Sequence, residues 1–305
     1  MREHRIPAPR IFPARGGPYI LKPSDESGSA GVFRAKTAEE VKRFLKSVRD
    51  PGNWVAQEYL EGPSYSIEII GHPGRYRTYE ITEIHMDEAY DCKMVTAPCG
   101  LSAAKEKQFA KTAEALANLI GLRGVMDVEV IDHAGALKVL EIDARLPSQT
   151  PMVVYHCTGV NLLAELAELT LESVKGFACT VSTGGSVGAC RSGRLSPLKN
   201  PKREKQPRTT ASMAHYLIGD GAVRQMGERI MSAGAPLVYQ THFFGADEAL
   251  SDYDGSRTPW RGAFIHTGKS EAEVAEKRAA TERALFTGSS SLEAGPSRAK
   301  NRLRR

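Results

Sequence analysis

The sequence predicts an α+β protein in two unequal parts, on three observations. Short runs of alternating apolar and polar residues, bounded by Gly, Pro, Asn and Asp, recur through residues 17–143 and read as strands. Segments with apolar residues at helical spacing lie between or after them, at 37–48, 102–119 and 160–174. A Gly/Ser stretch (182–193) and a basic, Pro-bearing stretch (194–208) then separate this part from a second unit of strands and helices. The expected division is a main α+β domain over 1–181, a flexible basic linker over 182–208, a smaller C-terminal α+β domain over 209–287, and a disordered basic tail over 288–305.

Each element has a local reason. Residues 17–35 (GPYILKPSDESGSAGVFRA) read as strand, small-residue turn, strand. Thr37 opens a helix: Glu40 stands three residues on as its capping-box partner, and Val41, Phe44, Leu45 and Val48 share one side. Asp50-Pro51-Gly52-Asn53 stops it. WVAQEYL (54–60), YSIEIIG (65–71) and RYRTYEITEI (75–84) are strands separated by Glu61-Gly62-Pro63 and Pro73-Gly74. A helix over 102–119 carries Phe109 and Leu116 on one side. VMDVEVI (125–131), the turn 132–135 and ALKVLEID (136–143) form a hairpin. In the second unit, 211–218, 237–245 and 261–268 read as strands and 222–234 as a helix. A final helix is capped by Ser270 with Glu273.

Composition excludes several classes. The chain has 305 residues, 41% hydrophobic and 25% charged, with a net charge of +5. These are values of a globular protein of about two domains. No run of about 18 apolar residues occurs, and residues 1–17 lack the apolar centre of a secretory signal. The five cysteines are odd in number with no C-x-x-C pair, which fits free thiols in a reducing cytoplasm. The positive charge sits in two places. Lys199, Lys202, Arg203, Lys205 and Arg208 face only Glu204, and Arg298, Lys300, Arg302, Arg304 and Arg305 face only Glu293. Neither segment interleaves aromatics to stack bases, so solvated surface is the expectation and nucleic acid is not.

The hairpin is the most informative chemical feature. Asp127 and Glu129 share one face of their strand, and Glu141 and Asp143 share a face of the next. Solvated acids on an exposed face and a divalent-cation site both fit that spacing. Arg145 continues the alternation, and Val125, Val128, Val130, Leu140 and Ile142 make this packed sheet, which favours the cation site. Lys22, at a strand end before Ser24-Asp25-Glu26-Ser27-Gly28-Ser29-Ala30-Gly31, sets a cation beside a turn whose backbone amides can approach phosphate. The segment Gln57-Glu58-Tyr59-Leu60-Glu61-Gly62 ends a strand and could present backbone groups to a purine edge.

In this order the three features resemble the ATP-grasp superfamily over residues 7–175. The resemblance implies a fold of two α+β lobes that hold ATP between them, followed here by the smaller C-terminal α+β domain. E-I-D-A-R-L-P-S-Q-T-P (141–151), V-V-Y-H-C-T-G-V-N (153–161) and E-I-H-M-D-E-A-Y-D-C-K (83–93) are similar, more narrowly, to the family of ornithine–lysine ligases of pyrrolysine biosynthesis. The unit 209–286, with F-F-G-A-D-E-A (243–249), resembles that family's C-terminal domain. The implied reaction is ATP-dependent, Mg²⁺-assisted joining of an ornithine-like carboxylate to the ε-amine of lysine through an acyl phosphate. The implied roles are Lys22, Ser27, Gly28 and Ser29 on phosphates, and Gln57, Glu58 and Leu60 at adenine. Asp127, Glu141 and Asp143 would hold the metal, and Arg145 the reacting acyl group, with Lys22 and Arg145 as the catalytic cations. Ser66 and Glu68 match positions for the ornithine-like substrate, and Tyr155 and Thr158 are further candidates. Glu68 or Asp91 would bind an ammonium or accept its proton.

Three departures stand out. Ser64 occupies a position where many relatives carry a ribose-binding Glu, for which Glu61 is a substitute. The last metal position, often Asn, is Asp143. Relatives begin with a further domain that walls the substrate site, and this chain starts at the I-P-A-P segment (6–9) that follows it. The expectation is a shortened chain or one completed by a partner chain.

Other motifs are weaker. Gly184-Gly185-Ser186-Val187-Gly188 matches G-x-S-x-G but lacks a helix after it. Gly268-Lys269-Ser270 resembles the end of a P-loop, yet Ala263 stands where the loop needs Gly. No H-E-x-x-H occurs, and His156 reads as packed or solvent-facing.

Overall fold

The computed structural model of the protein describes residues 1–13, 16–26, 28–178 and 208–293. The smaller of its two sheets contains β1 (Tyr19–Pro23), β2 (Phe33–Ala35) and β3 (Trp54–Glu58) in the order β2-β1-β3, all antiparallel. Helix α1 (Ala38–Ser47) covers it. The Thr37 hydroxyl accepts from the Glu40 amide (3.2 Å), and the Glu40 carboxylate accepts from the Lys36 amide (2.7 Å), so the cap forms as the sequence predicts. Phe33, Phe44 and Trp54 meet edge to face, and Leu21 and Val41 close this core.

The larger sheet has ten strands. In chain order they are β4 (Ser64–His72), β5 (Arg75–Met86), β6 (Cys92–Ala97), β7 (Gly124–His133), β8 (Ala136–Asp143), β9 (Thr210–Gly219), β10 (Ala222–Gln225), β11 (Val238–Thr241), β12 (Glu248–Ser251) and β13 (Trp260–Gly268). Their order in space is β11-β12-β13-β9-β6-β5-β4-β7-β8, with β10 beside β9. The C-terminal unit is therefore joined edge to edge with the second lobe, through β6 and β9 from Met94↔Ala214 to Ala97↔Ala211.

Period-two alternation decides what covers each face. On β4 and β7, Ile67, Ile69, Met126 and Val128 pack under α2 (Ala103–Leu119) with Phe109 and Leu116. Ile70 and Val125, on the other face, pack with Val154 and Leu162 of α3 (Thr150–Thr158) and α4 (Leu162–Ala178). Further along that second face the residues become Glu68, Ser66, Asp127 and Glu129, and the apolar cover ends. Leu285 of α5 (Glu271–Glu293) packs on Phe264 and Trp260 of β13. No helix among the described residues is long and apolar enough to cross a membrane.

The structure departs from the sequence reading in places. Residues 222–234 are not a helix: β10 pairs back on β9, and a 3₁₀ turn follows at Glu228–Ala233. The cause is the Asp220-Gly221 pair, at φ 53° and 64°, a two-residue hairpin turn that overrides the helical spacing of Val223, Met226 and Ile230. The strand expected over 237–245 stops at Thr241, because His242 and Phe244 adopt positive φ (54° and 51°). Strands β6 and β12 and helix α3 are additional elements. Helix α5 continues to Glu293, past residue 288 where the tail is expected to begin. Ser270 accepts from the Glu273 amide (3.2 Å), so Gly268-Lys269-Ser270 is a turn and cap. Cys92, Cys99 and Cys157 are free thiols. Cys179, Cys190, the Gly184–Gly188 run, residues 294–305 and the linker up to residue 207 lie outside the described residues.

Phe109 is fully buried between α2 and the sheet. Phe109→Ala is expected to destabilise the protein by about 3–5 kcal/mol, read as a lower urea midpoint. An unchanged midpoint would mean that α2 does not hold this face.

Candidate active site

A cavity of about 550 Å³ lies between the two sheets. Ile20 and Val55 from the small sheet face Met86, Ile131 and Leu140 from the large one across an apolar slot. Val55 is the cross-strand partner of Lys22, and there the lining turns polar, with Gly28, Ser29, Glu129 and Glu141. Gly28, Ser29 and Gly31 all take positive φ (60°, 57° and 72°). For Ser29 that conformation is strained, and it shapes a tight turn over the polar lining. Ser27 lies outside the described residues.

Gln57, Glu58 and Leu60 line the cavity. The Glu58 side chain, however, is occupied. Arg10 Nε donates to one carboxylate oxygen (2.5 Å) and Lys138 Nζ to the other (2.6 Å). Burial pushes the Glu58 carboxyl up, but these two cations win and hold it below the usual carboxylate range. Glu58 thus fixes the strand end to β8 through Lys138. Residues 10, 58 and 138 share no sequence spacing, so only the fold reveals this junction. Ser64 lines the cavity. Glu61 lines a separate pocket with Arg10 and Arg34, which corrects its expected place at a ribose.

Register carries the acidic residues. Asp127 pairs with Asp143 and Glu129 with Glu141 between β7 and β8, while Ser66 pairs with Glu129 and Glu68 with Asp127 between β4 and β7. Directly opposed β-carbons sit about 4.5–5.5 Å apart, so like charges are forced together. Lys22 Nζ reaches Glu141 from the small sheet (3.4 Å), and Arg145 donates to Asp143 (2.6 Å). Burial, then Asp143, and also Glu141 push Asp127 up to about 7 against the pull of Arg145. Burial, then Asp127, Glu141 and Asp143 push Glu129 up to about 8 against Lys22. Burial and then Asp127 raise Glu68 to about 7, with Thr150 opposing.

The donor set fits a hard divalent cation. Asp127 Oδ1 is buried without a hydrogen-bond partner, and the ladder is all carboxylate oxygen. Asp127, Glu141 and Asp143 share one face, although no three His, Cys, Asp or Glu side chains among the described residues already converge on one ion position. Glu129, which joins the ladder at the cavity wall, is a fourth member. Ser66 Oγ and both Glu68 oxygens are likewise buried without a hydrogen-bond partner. Tyr155 and Thr158 do not line the cavity. Tyr155 is 47% exposed, and the Thr158 hydroxyl donates to Val154 O (2.7 Å) near the end of α3. The start of the same helix, at Thr150, is the part beside Glu68. Asp91 Oδ2 accepts from Arg229 Nε (3.1 Å), while its Oδ1 is buried without a hydrogen-bond partner. His156 lies 3.3 Å from Glu248.

Comparison with known proteins agrees with this geometry. Residues 1–149 match the family described as ATP-grasp domain. The chain is 41% identical over 171 residues to a 3-methyl-D-ornithine–L-lysine ligase of Methanosarcina acetivorans, covering 56% of this chain and 44% of that enzyme. It therefore spans less than half the length of that relative. Among solved structures, an L-amino acid ligase from Bacillus licheniformis superposes with a TM-score of 0.60 at 16% identity, over 94% of this chain and 68% of that one. A carboxyaminoimidazole ribonucleotide synthase from Aspergillus clavatus, complexed with ATP, gives 0.60 at 13% identity, over 94% and 70%. Residues 1–149 are therefore an ATP-grasp domain, just under half of the chain, and the chain shares the fold of these solved structures.

Proposed function

We propose that the chain is an ATP-dependent carboxylate–amine ligase that joins 3-methyl-D-ornithine to the ε-amine of L-lysine. The observation that carries this reading is the meeting of Lys22 with Glu141 across the cleft, between a nucleotide-sized cavity and the acidic ladder. The named relative supports the choice of substrates.

In this reading the apolar slot takes the base, and Lys22 with the Gly28-Ser29 turn faces the phosphates. Asp127, Glu141 and Asp143 would hold Mg²⁺, which supplies charge neutralisation to the phosphates when bound. The substrate carboxylate attacks the terminal phosphorus of ATP, the bridging bond to ADP breaks, and an acyl phosphate forms. Arg145, half-exposed beside Asp143, turns its planar fork toward the acyl phosphate and steadies the oxyanion that develops as the amine attacks. The lysine amine forms the amide bond, loses a proton, and phosphate leaves. Glu68 and Ser66, whose buried oxygens have no partner, receive the ammonium of the ornithine-like substrate.

Two measurements test the reading. Release of ADP should require both the ornithine analogue and lysine, and Glu141→Ala should lower it by about a hundredfold or more. Equal release by the variant refutes the metal assignment, and release without amino acids refutes ligation. The second is pH dependence without divalent cation. The native acids bind protons up to about pH 7–8, whereas unfolded ones release them near pH 4, so this cluster's contribution falls as pH rises between those values. The melting temperature should decline from pH 5 to pH 8, Asp127→Asn should flatten the decline, and Mg²⁺ with nucleotide should abolish it. A slope that neither change alters would show that the ladder is not charge-strained.

A further inference from the structure

We propose that Arg229, carried by the C-terminal unit, binds the outermost phosphate of a nucleoside triphosphate in the cavity. The inference rests on the nucleotide-binding half of the ligase reading and adds a residue that the first lobe and the acidic hairpin do not supply.

Contact comes first. A β-carbon built on Gly28 would stand 3.8 Å from Cγ of Arg229. Gly28 lines the polar part of the cavity with Lys22, Ser29 and Glu141. The tip of the phosphate-facing turn therefore rests on this arginine.

The arginine is also held. The turn between β5 and β6 supplies two carboxylates that grip the start of the 3₁₀ segment. The Gly227 amide donates to Asp87 Oδ2 (3.0 Å), and both the amide and Nε of Arg229 donate to Asp91 Oδ2 (3.1 Å each). Asp91 is buried and approaches so closely that a β-carbon at Gly227 would lie 2.0 Å from its Oδ2, so glycine is required there. Ser148, three residues beyond Arg145, donates to Glu228 (2.7 Å). The segment is thus fastened to the loop of the proposed acyl-holding arginine and to the cavity wall, since Asp87 lines the cavity.

What remains is an unused fork. Asp91 takes Nε, while Nη1 and Nη2 of Arg229 make no hydrogen bond to any described residue, and the side chain is 41% exposed. The cavity walls carry Glu26, Asp87, Glu129 and Glu141 against Lys22. A triphosphate entering this surround needs more cation than one lysine provides. A guanidinium oriented by a buried carboxylate and open at its outer edge is suited to phosphoryl oxygens. Arg229 does not itself line the cavity; its segment is tied to the cavity wall at Asp87 and to Ser148 in the loop beyond Arg145.

The test is calorimetric titration of the full chain, with Mg²⁺, by the non-hydrolysable β,γ-imido analogue of ATP and by ADP. Arg229→Gln should weaken the triphosphate analogue about tenfold or more while ADP binding stays within about twofold, and Arg229→Lys should fall between. If Arg229→Gln melts early because Asp91 loses its partner, Asp91→Asn combined with Arg229→Gln removes that buried charge and is read in the same way. Equal losses for both nucleotides, or none, overturn the proposal. So does a raised KM for an amino acid with unchanged nucleotide affinity, which would assign Arg229 to a substrate carboxylate. Wild-type protein that binds neither nucleotide would sink the ligase reading as well. A variant that binds the triphosphate as the wild type does sinks this inference alone.

Discussion

Everything at the site follows from the register between β4, β7 and β8. Antiparallel pairing sets Asp127 against Asp143, Glu129 against Glu141, and Glu68 against Asp127 on one face. A slip of one residue would send the acids to the face packed by Phe109 and Leu116 and bring Val128 and Ile142 to the cleft. The hydrophobic face under α2 therefore fixes the register that holds the carboxylates together, and the core stabilises an arrangement that electrostatics alone would disperse.

The second face shows how one sheet can be both core and site. Its apolar end, at Ile70 and Val125, is roofed by α3 and α4, and its acidic end opens toward the small sheet. Lys22 enters from β1 and Arg145 from the chain beyond β8, each reaching a carboxylate. These two cations offset part of the repulsion. Burial first, and the neighbouring carboxylates after it, still raise the protonation ranges of Asp127 and Glu129, and a hard cation is the complement such acids would accept.

The hairpin was legible because its signals are local: alternation on both strands and a turn at Asp132–Gly135 whose last residues, Ala134 and Gly135, take positive φ (50° and 84°). The caps at Thr37 and Ser270 were legible for the same reason. Residues 222–234 were misread because a two-residue turn at Asp220-Gly221 outweighs weak helical spacing once β9 offers an edge. The side-chain partners of Glu58, Arg10 and Lys138, were not legible, because they come from distant points of the chain. Along α3, Thr150 lies beside Glu68 at the start of the helix and Thr158 stands at its other end. Side-chain direction on strands could be read from sequence because period two fixes it.

Asp143 shows how a like charge in the ladder is absorbed. Its carboxylate stands directly opposite that of Asp127. Arg145 lies two residues on and donates to Asp143 at 2.6 Å, so that charge and the arginine cancel locally. A guanidinium bound to Asp143 keeps its other edge for a further anion, which in the proposed reaction is the acyl phosphate. A bidentate fork can serve both at once, since one nitrogen occupied by a carboxylate leaves further N–H groups in the same plane. A lysine at this position would be a single point charge shared between two anions. The acid and the planar cation beside it therefore act as one unit, in which Asp143 sets the orientation of Arg145 and Arg145 offsets the charge that Asp143 brings to the ladder.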